Sequence, residues 1–121
     1  MKKISVYILF VVPIIFVACV QPESLTGSTG GNNAPVIESV SLDPPMVSVG
    51  DFAIIKVLAY DPDGDQLKYS WFTVLGDIIG SGSEVRYSAA YCCVGTNTVT
   101  VTVTDSQGEK VSKDISVEII L

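Results

Sequence analysis

The sequence predicts an all-β, antiparallel sandwich of about seven strands, preceded by a cleaved export signal and a flexible tether. Three observations carry this prediction. Thr98-Val99-Thr100-Val101-Thr102-Val103-Thr104 alternates two β-branched residue types without a break, which suits a pleated strand with one buried face. Turn signals at Gly50-Asp51, Asp61-Pro62-Asp63-Gly64-Asp65 and Asp105-Ser106-Gln107-Gly108 divide the rest into runs of strand length. Past the apolar N-terminus, no stretch has helical periodicity.

The chain of 121 residues opens on Lys2-Lys3, an apolar run from Ile4 to Val17, then Ala18 and Cys19. A charged start, an apolar middle and a small residue before the cut are the three parts of a secretory signal. Phe16-Val17-Ala18-Cys19 resembles the lipobox of bacterial lipoproteins, in which the cysteine becomes the first mature residue. The resemblance implies cleavage after Ala18 and lipid on the Cys19 thiol, a nucleophile that takes a diacylglyceryl group. Two or more acyl chains, at roughly 0.8 kcal/mol per buried methylene, hold a protein on a membrane stably. Two other readings stay open. One is an uncleaved anchor: the 17 residues from Ile4 to Val20 lie at the short edge of the roughly 17–25 needed to span. The other is an ordinary signal cut after Ala18, with no lipid. All three place the rest of the chain outside the cytoplasm. Val20 is not the aspartate that retains many enterobacterial lipoproteins inside, so the outer membrane or cell surface is expected over the inner membrane.

Residues 1–18 are thus read as signal, 19–33 as lipidated cysteine and linker, and 34–121 as the folded domain. Gln21 to Asn33 is rich in Gly, Ser, Thr and Asn, a flexible tether with an r.m.s. span on the order of 20 Å. Strands are expected at Val36–Leu42, ended by Asp43-Pro44-Pro45, then at Phe52–Tyr60 and Leu67–Val74. A short strand near Asp77–Ile79 and another over Glu84–Ser88 follow. Thr98–Thr104 and Lys110–Ile120 close the domain as a hairpin.

Period-two patterning assigns the faces. Val99, Val101 and Val103 turn inward and the threonines outward; Ile115, Val117 and Ile119 turn inward with Asp114, Ser116 and Glu118 outward. Leu67, Tyr69 and Trp71 are expected in the core, with Trp71, the only tryptophan, at its centre. Truncating Trp71 to alanine there would cost roughly 3–5 kcal/mol. Ala53, Ile55, Val57 and Ala59 also suit the core. That leaves Phe52, Ile54, Leu58 and Tyr60 on the other face, broken only by Lys56. An apolar row on an outer face calls for a cover, either a loop of the domain itself or a partner or sugar, with Tyr60 as a stacking surface.

Composition removes several functions. The 7 basic and 13 acidic residues become 5 against 13 once Lys2 and Lys3 leave with the signal, a net charge of −8. No nucleic-acid partner is expected of such a chain. Histidine is absent, which removes the usual general base, the commonest zinc ligand and the neutral-pH switch. The 103 residues after Ala18 suffice for one small domain.

The pieces Asp61-Pro62-Asp63-Gly64-Asp65, Tyr69-Ser70-Trp71-Phe72, Gly76-Asp77 and Val99-Thr100-Val101-Thr102-Val103-Thr104-Asp105-Ser106-Gln107-Gly108 stand in the order and at about the spacing of a PKD (polycystic kidney disease-type) domain, which residues 33–121 resemble. The family's Trp-Asp-Phe-Gly-Asp-Gly loop is reduced here to Trp71-Phe72, with Gly76-Asp77 later. The resemblance implies an immunoglobulin-like sandwich acting outside the cell as a spacer or as a binder of protein or polysaccharide. It also implies a candidate calcium site at Asn33, Asp61, Asp63 and Asp105, because some PKD domains bind calcium through the matching positions. Hard cations want oxygen ligands, which an Asp-rich turn supplies. The same turn is also explained by Asp side chains capping their own backbone, with no metal.

Cys92-Cys93 leaves three readings: a buried apolar cysteine beside an incidental one, a strained vicinal disulfide, or a bridge to another chain. In a strand, one thiol would point inward and the other outward. Together these features predict a non-catalytic, lipid-anchored surface module that binds or spaces. A structural subunit of a larger cell-envelope complex is the alternative. A small secreted enzyme is the third reading; it would need a nucleophile and base that the sequence does not bring together.

Overall fold

The Val/Thr alternation becomes the strand around which the domain is organised. The computed structural model describes residues 31–121; the expected export signal, Cys19 and the expected tether through residue 30 lie outside the described residues. Eight strands occur among the described residues: β1 (Val36–Asp43), β2 (Met46–Ser48), β3 (Phe52–Tyr60), β4 (Lys68–Thr73), β5 (Asp77–Ile79), β6 (Glu84–Ser88), β7 (Gly95–Thr104) and β8 (Lys110–Ile120). One single-turn 3-10 helix, Tyr91–Cys93, joins β6 to β7. The strands form two four-stranded sheets, ordered β1-β3-β6-β5 and β2-β8-β7-β4. The expected all-β sandwich is the observed architecture.

β7 shows why these residues choose this conformation. Its odd positions Asn97, Val99, Val101 and Val103 are all buried, as is Asp105 just beyond, while the threonines between them face out. Val99 pairs with Ile115 and Asn97 with Val117 across the β7–β8 hairpin, so two inward rows meet on one sheet face. Ala53, Ile55 and Val57 of β3 and Val85 and Tyr87 of β6 close on them from the other sheet. Each fully buried valine or isoleucine contributes roughly 1.5–3 kcal/mol of transfer free energy.

Three features correct the sequence reading. First, the sequence reading assigns no strand between Asp43-Pro44-Pro45 and Phe52, yet Met46–Ser48 pairs in parallel with Glu118–Ile120, so the second sheet is mixed. The chain crosses from one sheet to the other through the cis Asp43–Pro44 bond, to a partner far along the chain that no turn signal announces. Second, Trp71 is not the centre of packing. Tyr87 is the largest fully buried side chain, at 0% exposure. Trp71 is only partly buried, with its indole N–H donating to the Gly82 carbonyl at 2.9 Å. The reason is position: Trp71 lies on β4, an edge strand, whereas Tyr87 lies on β6, flanked by β3 and β5. Leu67, Tyr69 and Ala59 likewise pack against the core only partly buried. Third, the cysteines sit in the 3-10 turn and not in a strand.

Tyr87 also explains Gly76. The Tyr87 hydroxyl donates to the Leu75 carbonyl at 2.8 Å. A Cβ on Gly76, whose φ is +86°, would stand 2.5 Å from that hydroxyl and 2.8 Å from the Ser88 carbonyl oxygen. Only glycine fits both the left-handed backbone and the space.

Candidate functional site

The turn after β3 and the turn after β7 meet at one end of the sandwich. Asp61 follows β3 directly, and its Oδ1 accepts the N–H groups of Asp63 at 2.8 Å and Asp65 at 3.2 Å. This Asx turn curls the chain, with Gly64 at φ +77° making the bend. It sets the Asp61 and Asp65 side chains toward the same place. Asp105 follows β7, and its Oδ1 accepts the N–H groups of Gln107 at 2.8 Å and Glu109 at 2.9 Å. Its Oδ2 accepts the side-chain amide of Asn32. Oxygens of Asp61, Asp65 and Asp105 lie within 4.8 Å of one another.

The structure thus brings together Asp61 and Asp105 of the expected set. The other two are turned to each other: Asp63 accepts the Asn33 backbone N–H at 2.6 Å and its side-chain amide at 3.0 Å. Asp65 completes the trio, and Gln107 steadies it by donating to Asp65 Oδ2 at 3.2 Å and to Asn32 Oδ1 at 3.0 Å. Asp65 stood in the Asp-rich turn but outside the expected set, and Asn32 and Gln107 were not singled out from the sequence. The signal for Asp65 was its place four residues after Asp61, where an Asx turn points both side chains one way.

Within the cluster, Asp105 is held toward its charged form. Burial pushes the Asp105 carboxyl up, but hydrogen bonds from Asn32 and from the Gln107, Glu109 and Gly108 backbone outweigh it and hold the group below its ordinary value. Asp61 Oδ2 is buried and has no hydrogen-bond partner among the described residues. A buried carboxylate oxygen without a donor is costly unless a cation meets it. Three convergent carboxylates with one such orphaned oxygen fit a hard, oxygen-seeking ion such as calcium.

The outer face of the β1-β3-β6-β5 sheet carries the apolar row. Phe52, Leu58 and Tyr60 are 47%, 58% and 47% exposed, and Ile54 is half-buried. No loop among the described residues covers them. Arg86 lies over the Phe52 ring, 4.6 Å from its centroid. Lys56 interrupts the row and pairs with Glu84 at 3.2 Å, an exposed pair of little energetic weight. Beside it lies a shallow concavity of about 300 Å³ lined by Ser39, Ser41, Lys56, Leu58 and Glu84. Hydroxyls, a cation and a carboxylate therefore sit next to aromatic and aliphatic surface.

At the opposite end, Cys92 is exposed and Cys93 buried, both as free thiols. Their sulfurs lie 2.9 Å apart. The neighbouring Cys93 thiol pushes the exposed Cys92 thiol above its ordinary value.

Residues 32–118 match the Bacterial Ig domain family. No curated protein matches the chain. Among solved structures, the PKD1 domain of Vibrio anguillarum Epp is similar at 26% identity and a TM-score of 0.56, with 74% of this chain and 100% of that one covered. A nucleoside hydrolase-related hypothetical protein from Saccharophagus degradans, associated with carbohydrate metabolism, is similar at 17% identity and a TM-score of 0.61, covering 74% of this chain and 26% of that one. Drosophila N-cadherin EC1-4 is similar at 16% identity and a TM-score of 0.53, covering 74% of this chain and 25% of that one. The chain spans about a quarter of those two larger proteins, and their likeness shows the fold alone.

Proposed function

The chain belongs to the Bacterial Ig domain family, and from that premise we propose that it is a non-catalytic module, lipid-anchored through Cys19 to the cell envelope, whose β1-β3-β6-β5 sheet binds a protein or polysaccharide. Domains of this family are commonly extracellular or surface-exposed, which agrees with the export signal read from Lys2 to Cys19. The outer membrane or cell surface is the proposed location. The observation that carries the binding role is the exposed row of Phe52, Leu58 and Tyr60 on a rigid sheet face. Aromatic surface beside polar groups suits both sugar stacking and a protein hot spot. The same row favours the second reading, a subunit of a larger envelope complex. The absence of histidine from the sequence and the shallow concavities support a non-catalytic role.

Capture from detergent-solubilised envelope tests the proposal. The lipidated chain is expected to retain a protein or glycan, and Phe52→Ser/Leu58→Ser/Tyr60→Ser to lose at least about tenfold of it, a loss of about 1.4 kcal/mol or more. Stoichiometric co-purification would identify a complex subunit. Equal retention by the triple variant overturns the binding face, and a native mass without acyl chains overturns the anchor.

Calcium at Asp61, Asp65 and Asp105 belongs to the same proposal as an ion that rigidifies the end where Asn32 enters. With a Kd on the order of 10⁻⁴–10⁻³ M, as in other extracellular modules, about 10 mM calcium would stabilise the fold by roughly 1.4–2.7 kcal/mol. Asp61→Ala should abolish the rise in melting temperature. No rise in the unsubstituted protein overturns the calcium reading and leaves the binding face standing.

A further inference from the structure

The β6–β7 connection carries two thiols that neither the anchor nor the binding face uses. Adjacent side chains on a strand point to opposite faces, so neighbouring cysteines there cannot meet. Here Tyr91–Cys93 forms a 3-10 turn instead, closed by the Cys93 N–H donating to the Ala90 carbonyl at 3.0 Å. Successive side chains on such a turn are about 120° apart, and the two sulfurs converge to 2.9 Å. The turn is held from within: the buried Asn97 side-chain amide donates to the Cys93 carbonyl. Cys93 is 1% exposed, whereas Cys92 is open to solvent.

We propose that Cys92 and Cys93 form a reversible redox site that closes to a vicinal disulfide by exchange with a small-molecule or protein disulfide outside the cytoplasm. The roles follow from exposure. The Cys92 thiolate attacks one sulfur of R–S–S–R, forming a mixed disulfide and releasing one thiolate. The Cys93 thiolate then attacks the Cys92 sulfur and expels the second. Two electrons pass from the cysteine pair to the oxidant, and the two cysteine protons end on two R–SH molecules. Burial keeps Cys93 from external disulfides, so it acts only on its neighbour. That geometry disfavours a bridge to another chain, because a mixed disulfide on Cys92 always has an internal thiol beside it.

The bond so formed is labile. Adjacent Cα atoms lie about 3.8 Å apart, below the ordinary disulfide range of about 4.4–6.8 Å, and the strain makes the bond easier to reduce. Strained disulfides are the regulatory ones, in contrast to structural bridges that the glutathione pool leaves intact. The raised Cys92 thiol makes exchange quicken as pH rises. Tyr91 and Val94, 80% and 48% exposed, flank the pair and leave it open to an incoming disulfide.

The test equilibrates the full chain, in detergent, with glutathione buffers of graded oxidised-to-reduced ratio, then blocks free thiols and measures intact mass. Peptide mapping scores Cys92 and Cys93 apart from Cys19. The expected result is a monomer that loses two hydrogens and both labels at Cys92 and Cys93, and regains both labels as the ratio falls. Cys93→Ala should stop at a glutathione adduct on Cys92, and Cys92→Ala should leave Cys93 without an adduct. Persistence of both free thiols in oxidised glutathione, a stable adduct on Cys92 of the unsubstituted chain, or a disulfide-linked dimer would each overturn the proposal.

Discussion

The two sheets share an architecture and differ in how they finish their outer surfaces. The β2-β8-β7-β4 sheet presents hydroxyls that are paired in register: Thr96 with Glu118 at 2.6 Å, Thr100 with Asp114 at 2.7 Å and Thr102 with Ser112 at 2.7 Å. Along β7 and β8 its outer face is polar and satisfied by itself, and its most exposed apolar side chains, Phe72 at 64% and Met46 at 55%, stand on the edge strands β4 and β2. The β1-β3-β6-β5 sheet leaves Phe52, Leu58, Tyr60 and Ile79 open, with Ile79 57% exposed. A sheet face whose polar groups pair among themselves has little to offer a partner. One that exposes aromatic and aliphatic area gains by being covered. Inside the sandwich the contrast reverses. The first sheet buries its large aromatic, Tyr87, on an inner strand, while the second carries Trp71 on an edge.

Substitutions sharpen this contrast. The largest effect is expected at Tyr87: Tyr87→Ala should cost about 3–5 kcal/mol in chemical denaturation, and Trp71→Ala clearly less, because its strand has a neighbour on one side only. Equal losses would erase the difference between the two sheets.

A smaller effect is expected on acidification, at the end where β7 delivers Asp105. The folded state holds that carboxyl below its ordinary value. Its contribution to stability is therefore complete above the unfolded value and is lost as pH falls through the folded one. Thermal unfolding followed downward through the carboxylate range should show a decline that Asp105→Asn reduces. The smallest effect belongs to the polar face: Thr100→Ala should cost roughly 0.2–1 kcal/mol and leave partner capture unchanged. A loss of capture there would move the binding surface to the other sheet.

Legibility in the sequence followed how local each pattern was. The strands β1, β3, β4, β6, β7 and β8 were readable as runs of five or more strand-forming residues between turn signals, and the three-residue β5 from the glycines that bracket it. β2 was not, since Met46–Ser48 pairs in parallel with Glu118–Ile120, a partner far along the chain that no turn signal announces. The acidic turn was visible as a run of aspartates, but which of them converge was not. Asp63 turns to Asn33, and Asp65 joins Asp61 and Asp105, because hydrogen bonds to Asp61 Oδ1 shape the loop. The apolar row on β3 was legible from period two alone. Whether a loop covered it depended on how segments distant in sequence pack.

What the amino-acid order determined by itself was therefore local: strand against turn, and inward against outward. These depend on side-chain chemistry repeated every second residue or grouped in a short run. The tertiary structure alone decided which aromatic anchors the core, which carboxylates share a site and that the two thiols meet. Each of those outcomes depends on strand order or on a loop's hydrogen bonds, and so on contacts between residues that no repeat in the sequence links.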